Sequence, residues 1–191
     1  MKVIAINGSA RKDGNTAILI RRVFEELNKE GINTELIQLA GEKIQGCTAC
    51  GQCFVNKNER CVIDNDIVNE CVKKMKESEG IILGSPTYFA DCSAQAKALI
   101  DRAGYVAKAN GDLLKRKVGA AVVSVRRAGA IHAFDTINHF FTINQMLTVG
   151  SSYWNIGIGR EIGEVESDEE GFLTMSNLGK NMAWLMKKVS R

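Results

Sequence analysis

The 191-residue sequence is short of the features that mark several protein classes. It has one proline, two histidines and 6% aromatic residues, and it shows no internal repeat and no low-complexity linker. Nothing in it marks a second domain, so one domain over residues 1–191 is expected. No apolar run approaches the roughly 18 residues of a membrane span. The opening MKVIAINGS turns polar after six residues, too soon for the apolar segment of a signal peptide. Neither sign of charge dominates, since 25 Lys and Arg face 22 Asp and Glu for a net +3. The basic stretches LLKRKVG (113–119) and VRRAG (125–129) are short and separated, which argues against a nucleic-acid partner. A soluble, cytoplasmic chain without membrane contact is the expectation. What the chain does have is cysteine. Six cysteines in a reducing compartment do not make a disulfide framework, so metal, redox chemistry or burial must account for them.

Short β-rich runs alternate with helical periods. KVIAI (2–6), TELIQL (34–39), GIILGS (80–85), KVGAAVVSV (117–125) and MLTVGSSYW (146–154) read as strands. Helices are expected over 15–29, 66–77, 93–103 and 131–145, with a last one at about 174–190 that aligns Leu178, Met182, Leu185 and Val189. Strand followed by helix, repeatedly, means parallel strands joined by right-handed crossovers, with helices on both faces. Five strands in this length predict an α/β, flavodoxin-like three-layer sandwich of strand order 2-1-3-4-5, its ligand site beyond the strands' C-terminal ends. A cysteine-rich insertion at about 44–65 elaborates the connection between the second strand and second helix. The acidic run EVESDEE (164–170) reads as a solvated loop.

NGSARKDGNT (7–16), between the first strand and first helix, carries neither G-x-G-x-x-G nor G-K-[ST], so it is neither a dinucleotide fingerprint nor an NTPase P-loop. It offers the hydroxyls of Ser9 and Thr16, the amide of Asn15, the guanidinium of Arg11 and free N–H groups at a helix start, a set that suits a phosphate monoester. GSPTYFADCSAQAKALIDR (84–102) follows the third strand, and Pro86 stiffens the exit. Thr87, Tyr88 and Phe89 beside it suit a flat heteroaromatic ligand. A phosphate loop and an aromatic turn on one sheet edge describe the two ends of flavin mononucleotide, FMN. SVRRAGA (124–130), after the fourth strand, adds basic and glycine positions to the same rim.

GSxRxxGNT together with SPTYFxxxSAQxKALIDR resembles the NADPH-dependent FMN reductase branch of the flavodoxin-like superfamily, over residues 1 to about 154. The cysteines of GCTACGQCFVNKNERC (46–61) resemble the iron–sulfur flavoproteins within it. The resemblance implies FMN held by Ser9, Arg11, Asn15, Thr16, Pro86, Thr87, Tyr88 and Phe89, with Ser124 and Gly129 near the isoalloxazine. It also implies NAD(P)H as a donor, and a homodimer or homotetramer.

Cys47, Cys50, Cys53 and Cys61 follow C-x2-C-x2-C-x7-C. Three cysteines spaced by three with a fourth nearby suit a [4Fe–4S] cluster of ferredoxin type, whereas structural zinc usually uses two separated pairs. Cluster, zinc and metal-free thiols all stay open, and the seven-residue gap makes Cys61 the least secure ligand. Cys71 lies on an apolar helical stripe and reads as a small core residue. Cys92, on the flavin-side turn, reads as core with a redox role as the alternative. His132 and His139 lack carboxylate or cysteine neighbours in sequence and are not assigned as ligands. The expected function is an FMN-dependent redox protein with a [4Fe–4S] centre, passing electrons to or from a carrier protein or small-molecule acceptor. Two other readings are a cluster-free NAD(P)H-dependent flavin, quinone or azo-compound reductase, and a non-enzymatic flavin-binding regulator.

Overall fold

The computed structural model describes residues 1–189. Its centre is a parallel sheet built from β1 (Lys2–Asn7), β2 (Asn33–Gln38), β3 (Gly80–Pro86), β4 (Val118–Val125) and β5 (Leu147–Thr148), in the order β2-β1-β3-β4-β5, with β6 (Ile156–Ile158) also paired to β4. This is the flavodoxin-like order expected. Ile4 faces Ile81 and Ala5 faces Ile82 across β1 and β3, so both strands present apolar residues to both faces. That is why these strands read as continuous apolar runs.

Ile4, Ile6, Ile81, Leu83, Ala121 and Val123 point to one face, under α3 (Val68–Glu77), α4 (Ala94–Ala109) and α5 (Ala130–Ile143). Val3, Ala5, Ile82, Ala120 and Val122 point to the other, under α1 (Asn15–Lys29) and α6 (Glu169–Val189). Gly179 lets those two helices meet, because a Cβ there would stand 2.7 Å from the Val23 carbonyl oxygen. Among the described residues no helix is long and apolar enough to cross a membrane.

Five elements differ from expectation. The strand expected over 146–154 is two short strands, β5 against Val118–Gly119 and β6 against Val123–Val125. The chain between them leaves the sheet because α6 satisfies it: Asn181 Nδ2 donates to the Gly150 carbonyl (3.0 Å) and Ser151 Oγ donates to the Thr174 carbonyl (2.6 Å). The acidic run is a folded clamp rather than a solvated loop. It forms a 3₁₀ turn, Glu164–Ser167, around fully buried Val165. Asp168 accepts from the N–H groups of Ile158 (2.7 Å) and Gly171 (3.0 Å), so α6 begins at Glu169 rather than near 174; the expected end at 190 lies outside the described residues. α4 runs six residues past the expected 103, to Ala109, because Asn110 closes it by donating to the Val106 carbonyl. The cysteine segment contains a short helix, α2 (Gln52–Asn56), that apolar periodicity did not reveal because none of its residues is buried.

Candidate functional site

β1 ends at Asn7, whose side chain ties the first loop to the neighbouring strand. Its Oδ1 accepts from the Ser9 N–H (3.0 Å) and its Nδ2 donates to Gln38 Oε1 (2.8 Å). Ser9 Oγ then accepts from the Arg11 N–H (3.1 Å), curling the loop toward α1. That helix opens at Gly14 with no side-chain cap, leaving its positive end available to an anion. Thr16 Oγ1 lies 2.7 Å from Ser124 Oγ, linking the helix start to the end of β4.

A cavity of about 160 Å³ opens here, lined by Ser9, Arg11, Thr16, Tyr88, Arg126 and Arg160. Asn15, Pro86, Thr87 and Ser124 complete its wall together with Val125 and Gly159. Eight of the ten expected flavin-site residues therefore converge. Two do not line it. Phe89 is fully exposed, at the tip of a turn closed by the Tyr88 N–H to Asp91 carbonyl bond (2.8 Å) and its reciprocal (3.1 Å). Phe89 (φ 48°) and Ala90 (φ 65°) both take the left-handed conformation there, which swings the Phe89 ring outward. Gly129 (φ 86°) opens α5 and packs against this turn, since a Cβ on it would lie 3.3 Å from Ala90 Cα.

Two expected donors are engaged with the protein itself. The Asn15 amide donates to the Glu161 carbonyl (2.9 Å) and accepts from the Gly163 N–H (2.9 Å), so it holds the loop after β6. The Thr87 hydroxyl donates to the Ser124 carbonyl (3.1 Å), alongside its own N–H (2.8 Å). Arg126 comes from the loop after β4, whose basic positions are expected on this rim, and Arg160 adds a charge that the sequence pattern does not announce. Arg160 follows β6, and with the fifth strand expected to end at 154 its loop was not recognisable as part of the rim. Arg11 Nη1 donates to the Arg160 carbonyl (3.2 Å), joining the first and last of these loops. Three guanidiniums on one small cavity repel one another until an anion joins them. With Tyr88 in the same lining, the donor set fits a phosphate ester that carries an aromatic ring.

A second cavity, of about 100 Å³, is lined by Cys47, Cys50, Cys53 and Cys61 together, with Phe54, Ile63, Arg102 and Tyr105. Cys47 and Cys50 are exposed, and Cys53 and Cys61 half-buried. Left-handed Ala49 (φ 53°) and Gly51 (φ 69°) wind the loop so that backbone N–H groups turn toward sulfur, as in the Ala49 N–H to Cys47 Sγ contact (3.4 Å). The Gln52 N–H, ahead of smaller influences, pulls the Cys50 thiol below its ordinary range. Burial pushes Cys53 up, with the neighbouring Cys61 and Cys47 adding to the rise.

Cys61 has the firmest support, contrary to what its long gap suggested. Its N–H donates to Asn69 Oδ1 (2.8 Å) and its carbonyl accepts from Asn69 Nδ2 (2.9 Å). Its Sγ accepts from Arg102 Nε (3.4 Å). Arg102 is itself only 1% exposed, paired with Asp66 and hydrogen-bonded to the carbonyls of Gln45 (3.1 Å) and Ile63 (2.6 Å). In sequence this arginine closes SAQAKALIDR, where nothing adjacent marks it as buried. The donor set, four thiols with N–H groups toward sulfur, is chemistry for a thiophilic metal centre. A void of roughly 10–15 Å³ already admits a water-sized sphere, so this cavity has room for a group of several atoms. Among the described residues no three His, Cys, Asp or Glu side chains close on the position of a single metal ion.

Cys71 and Cys92 belong to the core, and burial pushes both thiols up to about 12, which leaves them protonated and unreactive. His132 does have a carboxylate neighbour: its Nε2 lies 3.5 Å from Asp91 Oδ2, brought there by the turn after β3.

Residues 1–161 match the NADPH-dependent FMN reductase family. An iron–sulfur flavoprotein of Methanocaldococcus jannaschii is 40% identical, with both chains covered completely. An iron–sulfur flavoprotein of Methanosarcina thermophila is 32% identical over 100% of this chain and 98% of its own. In structure the chain is similar to RosB, solved with 8-demethyl-8-formylriboflavin-5′-phosphate bound, at a TM-score of 0.80 and 19% identity over 100% of this chain and 80% of that one. At that identity the likeness speaks for the fold. The arginine-lined cavity, the first loop and the family match agree: the chain belongs to the NADPH-dependent FMN reductase family, and with it to the flavin-dependent oxidoreductases.

Proposed function

We propose that this oxidoreductase holds FMN in the arginine-lined cavity and a [4Fe–4S] cluster among Cys47, Cys50, Cys53 and Cys61, and that it passes electrons between carriers. The observation that carries the reading is that four thiols, drawn from a 15-residue stretch, line one multi-atom cavity in a chain that also has a cavity lined by Arg11, Arg126 and Arg160. The iron–sulfur flavoprotein names of two relatives covered end to end support it.

FMN supplies two-electron exchange with a hydride donor and single-electron exchange with a carrier, and the protein sets orientation, potential and access. Arg11, Arg126 and Arg160 supply charge-assisted donors for a phosphate, and the uncapped start of α1 adds its dipole. The Thr16–Ser124 and Asn15–Gly163 hydrogen bonds fix the loops that carry those donors. Tyr88 offers an aromatic surface to a planar ring. NAD(P)H is the proposed donor, and a redox carrier protein or small molecule the acceptor. The working form is proposed to be a homodimer or homotetramer in the cytoplasm.

A second reading, a cluster-free NAD(P)H-dependent flavin, quinone or azo-compound reductase, is favoured by one observation: no three ligating side chains close on a metal position among the described residues. Iron, sulfide, zinc and flavin per chain, measured on protein purified without oxygen, decide between them. About four irons and four sulfides with one FMN support the first reading. Flavin without iron, with turnover of NADPH and a quinone, establishes the second.

A further inference from the structure

We infer that Arg102 is a positioning residue for the thiol cavity, a permanently charged guanidinium that fixes Cys61 and raises the reduction potential of the group the thiols hold. This rests on the cluster reading above.

Burying an arginine is expensive unless every donor finds a partner. Arg102 is 1% exposed, and its partners come from the cysteine-bearing segment and its flanks: Asp66, the Gln45 and Ile63 carbonyls, and Cys61 Sγ. A cross-link whose purpose was only to pin the segment to α4 would be complete with Asp66 and the two carbonyls. The fourth bond, Nε–H to Sγ at 3.4 Å, goes to a thiol that itself lines the cavity. Arg102 lines the same cavity, so its charge lies at the wall rather than behind it. The planar fork permits this division of labour. Nη1 and Nη2 serve Asp66 and the carbonyls while Nε stays directed at sulfur, an arrangement a lysine ammonium cannot copy from one point.

Asn69 holds the Cys61 backbone by a donor and an acceptor at once, so the sulfur meets Arg102 in a fixed position. Reduction of a thiolate-held cluster adds one negative charge. A nearby cation and an N–H donated to a ligand sulfur both stabilise that charge, which raises the potential.

The test compares anaerobically reconstituted wild-type protein with Arg102→Lys and with the double variant Arg102→Met/Asp66→Asn, which leaves no lone buried carboxylate. FMN per chain reports folding; iron and sulfide per chain, iron release to a chelator and a redox titration of the cluster report the inference. The expected result is full FMN in all three, iron release about tenfold faster in both variants, and a cluster potential that falls from wild type to Lys to the double variant. Variants with full FMN and unchanged potential overturn the inference and leave the cluster reading standing. Wild-type protein that takes up no iron overturns the cluster reading, and the inference with it. If neither variant folds, pulsed EPR of reduced wild-type protein carrying arginine ¹⁵N-labelled in the guanidinium alone decides: a nitrogen coupling supports the inference and its absence overturns it.

Discussion

The hydroxyls of Thr16 and Ser124 lie 2.7 Å apart although 108 positions separate them in the chain. Both residues are buried, and together they tie the start of α1 to the end of β4 beneath the arginine-lined cavity. Thr16→Val keeps the shape and removes the hydroxyl, leaving Ser124 without this partner. The expected outcome is a loss of about 1–2 kcal/mol, measured by urea unfolding of the flavin-free protein, so that ligand affinity does not enter the comparison.

Arg11 and Arg126 line the same cavity and carry charges suited to a phosphate. Replacing either by Ala should weaken FMN by about ten- to hundredfold, equivalent to roughly 1.5–3 kcal/mol, while riboflavin, which lacks the phosphate, changes little. Flavin fluorescence titration measures both ligands. Equal weakening of the two would place the phosphate elsewhere.

Tyr88 and Phe89 are adjacent in sequence and opposite in placement. Tyr88 lines the cavity and Phe89 stands in solvent. Tyr88→Ala is expected to shift the visible spectrum and potential of bound flavin, and Phe89→Ala to leave both unchanged. A Phe89 variant with an altered flavin spectrum would show that the ring at the turn's tip reaches the ligand.

The six cysteines should separate into two groups. Ala at Cys47, Cys50, Cys53 or Cys61 should abolish iron binding while FMN stays bound, and the anchoring of Cys61 makes its loss as damaging as the others. Cys71→Ala should lower the melting temperature through lost packing, about 1 kcal/mol, with iron content unchanged. Wild-type iron levels in the first four variants would remove the cluster assignment.

Acid should find a separate weakness, between α1 and α6. Glu26 accepts from Lys29 Nζ and Ser176 Oγ, each at 3.0 Å, and the Lys29 hydrogen bond leads in holding its carboxyl below the ordinary 4.5 against the opposing pull of burial. A depressed folded value means that this contribution is fully present above the ordinary value and is lost as pH falls through the folded one. Glu26→Gln should therefore lower stability at pH 7 and flatten its decline below about pH 4.5. Parallel acid limbs for the two proteins would show that Glu26 does not contribute to it.

The sheet was legible because parallel strands buried on both faces leave unbroken runs such as KVIAI and GAAVVSV. The cavity rim was legible where its residues follow such strands directly, as Ser9, Arg11 and Tyr88 do. Arg160 escaped because β6 is only three residues long and follows a loop whose polar groups are satisfied by α6, a long-range arrangement with no local period. Asn15 was assigned to the ligand by its amide, and nothing nearby in sequence announces the Glu161 and Gly163 backbone groups that engage it. Arg102 lay in a recognised stretch, yet a charged residue on a helix reads as surface until its partners, 36 to 57 positions away, are known.

α4 has one end in each neighbourhood. Ser93, which caps it, donates to the Gly8 carbonyl (2.6 Å) in the first loop, and farther along the same helix Arg102 and Tyr105 line the thiol cavity. A helix rises about 1.5 Å and turns about 100° per residue, so α4 acts as a ruler with only certain allowed lengths. Inserting one residue between Ser93 and Arg102 would rotate the guanidinium roughly a quarter turn away from Cys61, and two would carry it past the opposite face. Only changes near whole turns, about four or seven residues, restore its direction, at the expense of about 6 or 10 Å of added separation. Length variation in lineages that keep both cavities should therefore collect in the cysteine segment and spare the first half of α4.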